Sequence, residues 1–461
     1  MRIREGVLFA AVLICHVGRL DATSTVDERI DRLEKRLEEM ERRHAAELKV
    51  RDEQIASLRE QLASRIATAA TQPQDEIEKE RLAALKEVMA RETSSPISRV
   101  AASFNPDIAV IGNFTGSYSP YHKNPALNRF DVGSVELDLR AAVDPRADAV
   151  AILPIVREVE NPLFFDPADR SGHVHTDVEI EEAYLFLHDF GVPNLTAQLG
   201  RYHLRFGRWN VLHAHDWPTV DNAFVVQSFL GPEALADNGL SLSYVVPPKL
   251  IRNHYVEWIA QIIGGEGDEE APVLNNDALV RSPAVNLHAL WNHDVARDWN
   301  LEAGASWLHG HHNGDNHLNA DVVGGDLTLL HTDPTGRFNN QLFQAEVMYG
   351  KTDNGPWTIA MQYPGQSPGT QNAWGAYVLG QQQLGRDWYT GLRLDWTENA
   401  VNDGQQVWGV SPYITWYWSE FLRFRLEYQH KDGDVPAEDV LYFQATWIFG
   451  AHPPHPYWVM R

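Results

Sequence analysis

His213, His215 and Asp216 form a His-x-His-Asp group. Neutral imidazole beside carboxylate suits zinc, copper or nickel. The spacing equally describes hydrogen-bonded loop histidines, because no distant ligand completes a coordination set in the sequence. Other histidines crowd at His309, His311, His312 and His317, and at His173 and His175. Zinc at His213, His215 and Asp216 is therefore the one cofactor the residues suggest; otherwise none is expected.

A second group of reactive side chains alternates with a period of two. Glu136, Asp138 and Arg140 share one parity, as do Asp177, Glu179 and Glu181, then Arg393 and Asp395, then Arg423, Arg425 and Glu427. Charges in such rows, on the wall of a pore, select solutes by sign; the plainer reading is a polar surface that keeps a lumen wet. No G-x-S-x-G elbow, H-E-x-x-H helix or phosphate-cradling glycine loop occurs, so catalysis is not expected.

The elements that carry these rows alternate strictly. Across 406–418, Trp408, Val410, Pro412, Ile414, Trp416 and Trp418 share one face, and Gly409, Ser411, Tyr413, Thr415 and Tyr417 the other. Segments of about ten residues suit strands tilted across a membrane, whereas strands of soluble sheets are nearer five or six. The spacing predicts sixteen strands, at 107–117, 132–144, 147–156, 177–189, 194–205, 238–246, 253–264, 283–295, 299–309, 318–330, 338–350, 373–383, 388–397, 407–418, 421–430 and 439–449. Their connections alternate between short turns and longer polar loops, as in outer-membrane barrels. The fold class expected is thus an all-β transmembrane barrel of about 16 antiparallel strands, with both ends on the short-turn side.

The longest connection, 206–237, is unlike the other loops in being apolar as well as polar, with Phe224, Val225, Val226, Phe229 and Leu230. A loop folded back into the barrel, narrowing it, would have that composition. Just before it the apolar parity switches, from Leu195, Ala197 and Leu199 to Tyr202, Leu204 and Phe206. A bulge at Gly200 would restore the alternation and aim Arg201, His203 and Arg205 inward.

Ahead of the barrel, Arg2 and Arg4 followed by apolar Val7–Val17 read as a signal peptide over 1–22. Val26, Ile30, Leu33, Leu37 and Met40 fall at heptad spacing, so 23–70 reads as a coiled-coil region whose heptad stretch, 26–66, would be a rod of roughly 60 Å. An amphipathic helix and linker at 71–103 lead to the barrel at 104–461. The single cysteine, Cys15, excludes a disulfide framework. From Phe104 onward about 44 acidic residues oppose about 21 Lys plus Arg, which argues against a nucleic-acid partner.

Several segments resemble a group of bacterial outer-membrane proteins: 104–108, 178–184, Gly200-Arg201-Tyr202, Phe206-Gly207-Arg208-Trp209-Asn210, 213–218 and Gly450-Ala451-His452. That group is often labelled zinc-regulated, TonB-dependent outer-membrane receptor and is similar in architecture to phosphate-selective porins of the O and P type. The resemblance spans roughly 104–455 and implies a porin-like barrel with a link to metal supply. A receptor of the TonB-dependent kind has a plugged 22-stranded barrel; here a coiled coil precedes room for about 16 strands, and only four lysines follow Phe104. The expectation is an outer-membrane channel for small polar or ionic solutes, lined by the residues named above and narrowed by 206–237. It would sit in outer-membrane lipid as a homotrimer, with the coiled coil in the periplasm and in reach of the cell wall. The alternatives are a zinc-binding receptor and a coiled-coil tether to the cell wall.

Overall fold

The computed structural model describes residues 106–451, apart from 121–123, 125, 160–162, 165–173, 189, 252–253, 266–271, 275–281, 313–317, 355–368 and 402–403. The described residues belong to one compact unit. The signal peptide, coiled coil and amphipathic helix expected over 1–103 lie outside the described residues, as does His317; the side chains of His173 and His175 lie outside them too.

Among the described residues seventeen β elements follow in order: β1 (Asp107–Tyr118), β2 (Phe130–Asp144), β3 (Ala147–Val159), β4 (Val174–Val178), β5 (Glu182–Leu187), β6 (Leu195–His203), β7 (Ala236–Val245), β8 (His254–Ile263) and β9 (Ala284–Ala296). Then come β10 (Trp299–His311), β11 (Asn319–His331), β12 (Gln341–Asn354), β13 (Gly369–Gln383), β14 (Trp388–Glu398), β15 (Gln406–Ser419), β16 (Leu422–Gly433) and β17 (Glu438–Gly450). Each pairs antiparallel with its neighbours, and β1 pairs with β17 from Ala109↔Gly450 to Tyr118↔Leu441, closing the sheet. Pairing of the first strand with the last removes the two terminal edges an open sheet would have. Since β4 and β5 both pair with β3, they are one interrupted strand, and the barrel has sixteen.

The alternation decides which side of the wall each residue occupies. On β14, Arg393, Asp395 and Thr397 are buried while Leu392, Leu394 and Trp396 are exposed; on β16, Arg423, Arg425 and Glu427 are buried while Leu426 and Tyr428 are exposed. Burying charge and exposing leucine is the inverse of a soluble fold and suits an apolar surround. Aromatic residues mark both margins of the exposed face. Near the short turns, Trp388 and Trp416 are cross-strand partners stacked at 5.3 Å, with Trp418 and Phe424 against them. Near the long loops, Trp396 faces Trp408, and Tyr349 meets Trp374 at 4.6 Å.

The interruption in the fourth strand is a β-bulge. Ile155 pairs with Val178 and Ile152 with Glu182, so 179–181 oppose only 153–154; the Glu179 and Glu181 amides still donate to the Pro154 and Ile152 carbonyls. The bulge expected at Gly200 is absent: β6 runs in unbroken register from Leu195↔Tyr244 to His203↔Ala236. Gly200 does have φ +131°, and a Cβ there would meet the Ala183 carbonyl oxygen. The apolar parity switch has another origin. Tyr202, Leu204 and Phe206 belong to the barrel's largest buried apolar cluster, so the inner side itself becomes apolar there.

Between β6 and β7 the chain runs through turns to α1 (Phe224–Phe229), which lies against β12, β13, β14 and β15. This six-residue helix has no side-chain cap of its own at Ala223.

Candidate functional site on the inner face

Segment 204–235 is held by inner-face side chains from around the barrel. The wall carries sockets for it at inner-parity glycines. A Cβ on Gly324 would lie 2.7 Å from the Phe206 ring, one on Gly350 2.6 Å from Phe229, one on Gly375 2.6 Å from Val225, and one on Gly409 2.6 Å from Phe224. Strand glycines of this kind mark a close approach of other groups; four strands here thin their wall where the segment packs.

A basic patch grips the segment's backbone. Arg423 donates to the His215 carbonyl at 2.6 Å, and Arg425 to the Trp217 and Thr219 carbonyls at 2.7 Å each. Arg393 donates to the Thr219 hydroxyl, to the Asp221 carbonyl at 2.8 Å and to the Asp221 carboxylate at 2.8 Å, while its Nε reaches Asp395 at 2.6 Å. Its guanidinium also lies 5.5 Å from the Trp209 ring centroid and 5.8 Å from that of Phe224. Wall carboxylates accept the amides in return. Glu427 takes that of Val220, Glu346 that of Arg208, and Asp395 that of Phe224. Asp395 thereby supplies the cap that α1 lacks, satisfying an amide left open at any helix start.

The segment's histidines meet an acidic patch. His213 Nδ1 is 3.0 Å from Glu181 and its Nε2 3.4 Å from Glu182. His215 Nδ1 is 3.1 Å from Glu136, and its Nε2 3.5 Å from Asp216. Burial alone would lower the pKa of His213, but Glu181 and Glu182 outweigh it and hold the imidazole well above its ordinary value. His215 is raised as well, against its burial, by Asp216 and Glu136. His203 joins from the end of β6: its Nε2 is 3.3 Å from Glu181, and its ring 4.9 Å from that of His213.

The residues expected to line an open pore thus divide. Glu136, Glu181, Arg393, Asp395, Arg423, Arg425 and Glu427 are engaged by segment 204–235, and all but Glu181 are at most 4% exposed. They anchor where free lining charges were expected, because the segment's backbone supplies partners that water would otherwise supply. Asp138 is buried against Arg140, whose Nε is 2.9 Å away, and Arg140 itself is water-accessible. Glu179 is exposed at the bulge. Arg205 is exposed, with its charge near Tyr255 and His288 of the inner face. The inward aim expected for Arg201 is not found: it pairs with Ala183 and Asn238 and keeps the outward parity of Leu199, since no bulge intervenes.

The trio His213, His215 and Asp216 does not converge as one ligand set, since His213 turns to Glu181 and Glu182 while His215 turns to Glu136 and Asp216. Sequence reasoning missed Glu182, Asp221, Ser306 (which accepts the Gly207 amide at 2.9 Å), Glu346 and the glycine sockets. Only the glycines carried a signal, being inner-parity residues within strands.

No family model matches the chain. An uncharacterized protein of Aquifex aeolicus is 25% identical over 376 residues, covering 73% of this chain and 72% of that one. Among solved structures, OprB of Pseudomonas putida matches with a TM-score of 0.50 at 11% identity, covering 76% of this chain and 96% of that chain. The outer membrane channel DcaP of Acinetobacter baumannii has a TM-score of 0.46 at 12% identity, covering 75% and 97%. At 11% identity the likeness to OprB is one of fold alone: a closed antiparallel β-barrel, which in this chain has sixteen strands.

Proposed function

We propose that this protein is an outer-membrane channel for small polar or ionic solutes, with segment 204–235 lying across the lumen as its constriction. One observation carries the reading: a sealed barrel, apolar outside and polar within, binds its longest connection through buried inner-face charges from β2 to β16. A barrel of sixteen strands is wide enough for an aqueous path, and a segment so anchored sets the width of what remains. Arg140 and Arg205, water-accessible near the anchored segment, are the residues that would face a passing solute. The protein would reside in outer-membrane lipid as a homotrimer, passing solutes and catalysing nothing.

Single-channel recording in planar bilayers tests this. Purified protein should give stepwise openings, grouped in threes for a trimer, with a reversal potential in a KCl gradient that changes on Arg140→Glu plus Arg205→Glu. A silent bilayer, with the barrel shown to be folded, would sink the channel and leave the metal-capturing role or the tethering role expected of 26–92.

A further inference from the structure

We infer that Glu181, His203 and His213 form a binding site for a zinc-class divalent cation, oriented by Glu182. The three residues come from three separate pieces of chain: the bulge between β4 and β5, the end of β6, and segment 204–235. Their ligand atoms all lie within 4.8 Å of one another. Glu181 Oε1 is 3.0 Å from His213 Nδ1 and 3.3 Å from His203 Nε2. Metal–ligand bonds of 2.0–2.2 Å in a tetrahedron place the ligand atoms about 3.4 Å apart, so the two Glu181–imidazole contacts are close to the edge length of such a site. Two imidazoles and a carboxylate, with a fourth position left for water or a solute ligand, are a donor set that zinc accepts.

The surroundings supply what a metal-bound histidine needs. Glu182 Oε2 lies 3.4 Å from His213 Nε2, on the ring edge opposite Glu181, and Glu182 Oε1 accepts the His203 amide at 3.0 Å. A carboxylate on the far nitrogen fixes ring orientation and raises ligand basicity. The bulge explains how two consecutive glutamates serve one site: in a regular strand Glu181 and Glu182 would point to opposite faces, whereas the extra residue lets both reach His213. His215 and Asp216 are excluded from the set because their contacts run to Glu136 and to each other. A cation bound here would join the wall to segment 204–235. The inference does not depend on the channel reading, since it concerns binding alone.

The test is titration of the full chain, folded in detergent micelles, with Zn²⁺ alone, and separately with Co²⁺ as a spectroscopic stand-in. One Zn²⁺ per chain should bind, and Co²⁺ should show the visible bands of a tetrahedral nitrogen–oxygen site. His203→Gln and Glu181→Gln should abolish that stoichiometric binding, Glu182→Gln should weaken it by about 10- to 100-fold, and His309→Ala plus His311→Ala should leave it unchanged. Zinc that does not bind the parent chain, or that binds equally to His203→Gln and Glu181→Gln, would mean the cluster is an ion pair only and overturn the site. Should a variant fail to fold, the cobalt spectrum of the parent decides by itself: octahedral or absent bands refute the inference.

Discussion

Arg393 shows how much one residue can be asked to hold. Its guanidinium is fully buried, binds Asp395 on its own strand and Asp221 and Thr219 on the segment, and lies near two aromatic rings. Replacing it by methionine keeps the volume but leaves Asp395 and Asp221 without their cation. Removing one member of a buried pair costs about 3–5 kcal/mol, more than any single contact of the segment would repay. Arg393→Met should therefore release 217–224 from the wall, raising both its cleavage by protease and the unit conductance. Unchanged cleavage would show that the glycine sockets alone suffice. Sequence placed this arginine on the inner side through its parity with Asp395, but could not show its engagement, because its partners on the segment include a backbone carbonyl 172 positions away. Glu182 was hidden for a different reason: its parity is outward until the bulge is known.

At the scale of elements, α1 and the strands beneath it are fitted to each other. A methyl group on Gly350 would lie 2.6 Å from the Phe229 ring, and overpacking of this kind costs about 1–3 kcal/mol. Gly350→Ala should lower thermal stability and expose the segment, and Phe229→Leu in the same chain should restore part of the loss. If the double variant is no better than the sum of the two, Gly350 and Phe229 are not coupled in the way the packing requires. The loops at the other end of the wall respond to acid instead. His312, beside β10, donates to the Val273 carbonyl at 3.1 Å, and burial pushes its pKa down from 6.5 to about 4 despite that bond. A histidine kept neutral in the folded loop favours the open loop as pH falls through 6.5. The loss grows to about 3 kcal/mol near pH 4 and then levels off, where both forms are charged. Protection factors at 272–274, taken relative to the intrinsic exchange rate at each pH, should fall between pH 7 and 4.5, and His312→Asn should flatten that dependence. Strand positions were legible from alternation nearly throughout, since each has one wet and one dry face. The helix α1 was not, because six residues carry too little periodicity, and its cap comes from β14.

For the whole molecule, the two aromatic margins set a dimension. Trp388 and Trp396 lie on the same strand face eight positions apart, about 27 Å at strand rise. With the usual tilt this is about 20 Å along the barrel axis, close to the apolar band of about 25 Å in outer-membrane barrels. Trp388→Ser plus Trp416→Ser should slow insertion into vesicles without altering the conductance of channels that do insert; a changed conductance would mean these residues shape the wall. The architecture was readable at this scale because sixteen hairpin-linked segments leave few alternatives.

The seam between β1 and β17 pairs residues from the two ends of the barrel, Ala109 with Gly450, and β16 beside it carries Arg423, Arg425 and Glu427, whose partners lie on segment 204–235. Contacts so distant in sequence make assembly slow. They also tie the last steps together: until the segment is seated, Arg423 and Arg425 keep only wall partners such as Thr446 and Gln444, and until β16 arrives the carbonyls of His215, Trp217 and Thr219 lack the arginines that bind them. The connection that would govern passage in the finished barrel is, during biogenesis, the mould on which the closing strands are cast.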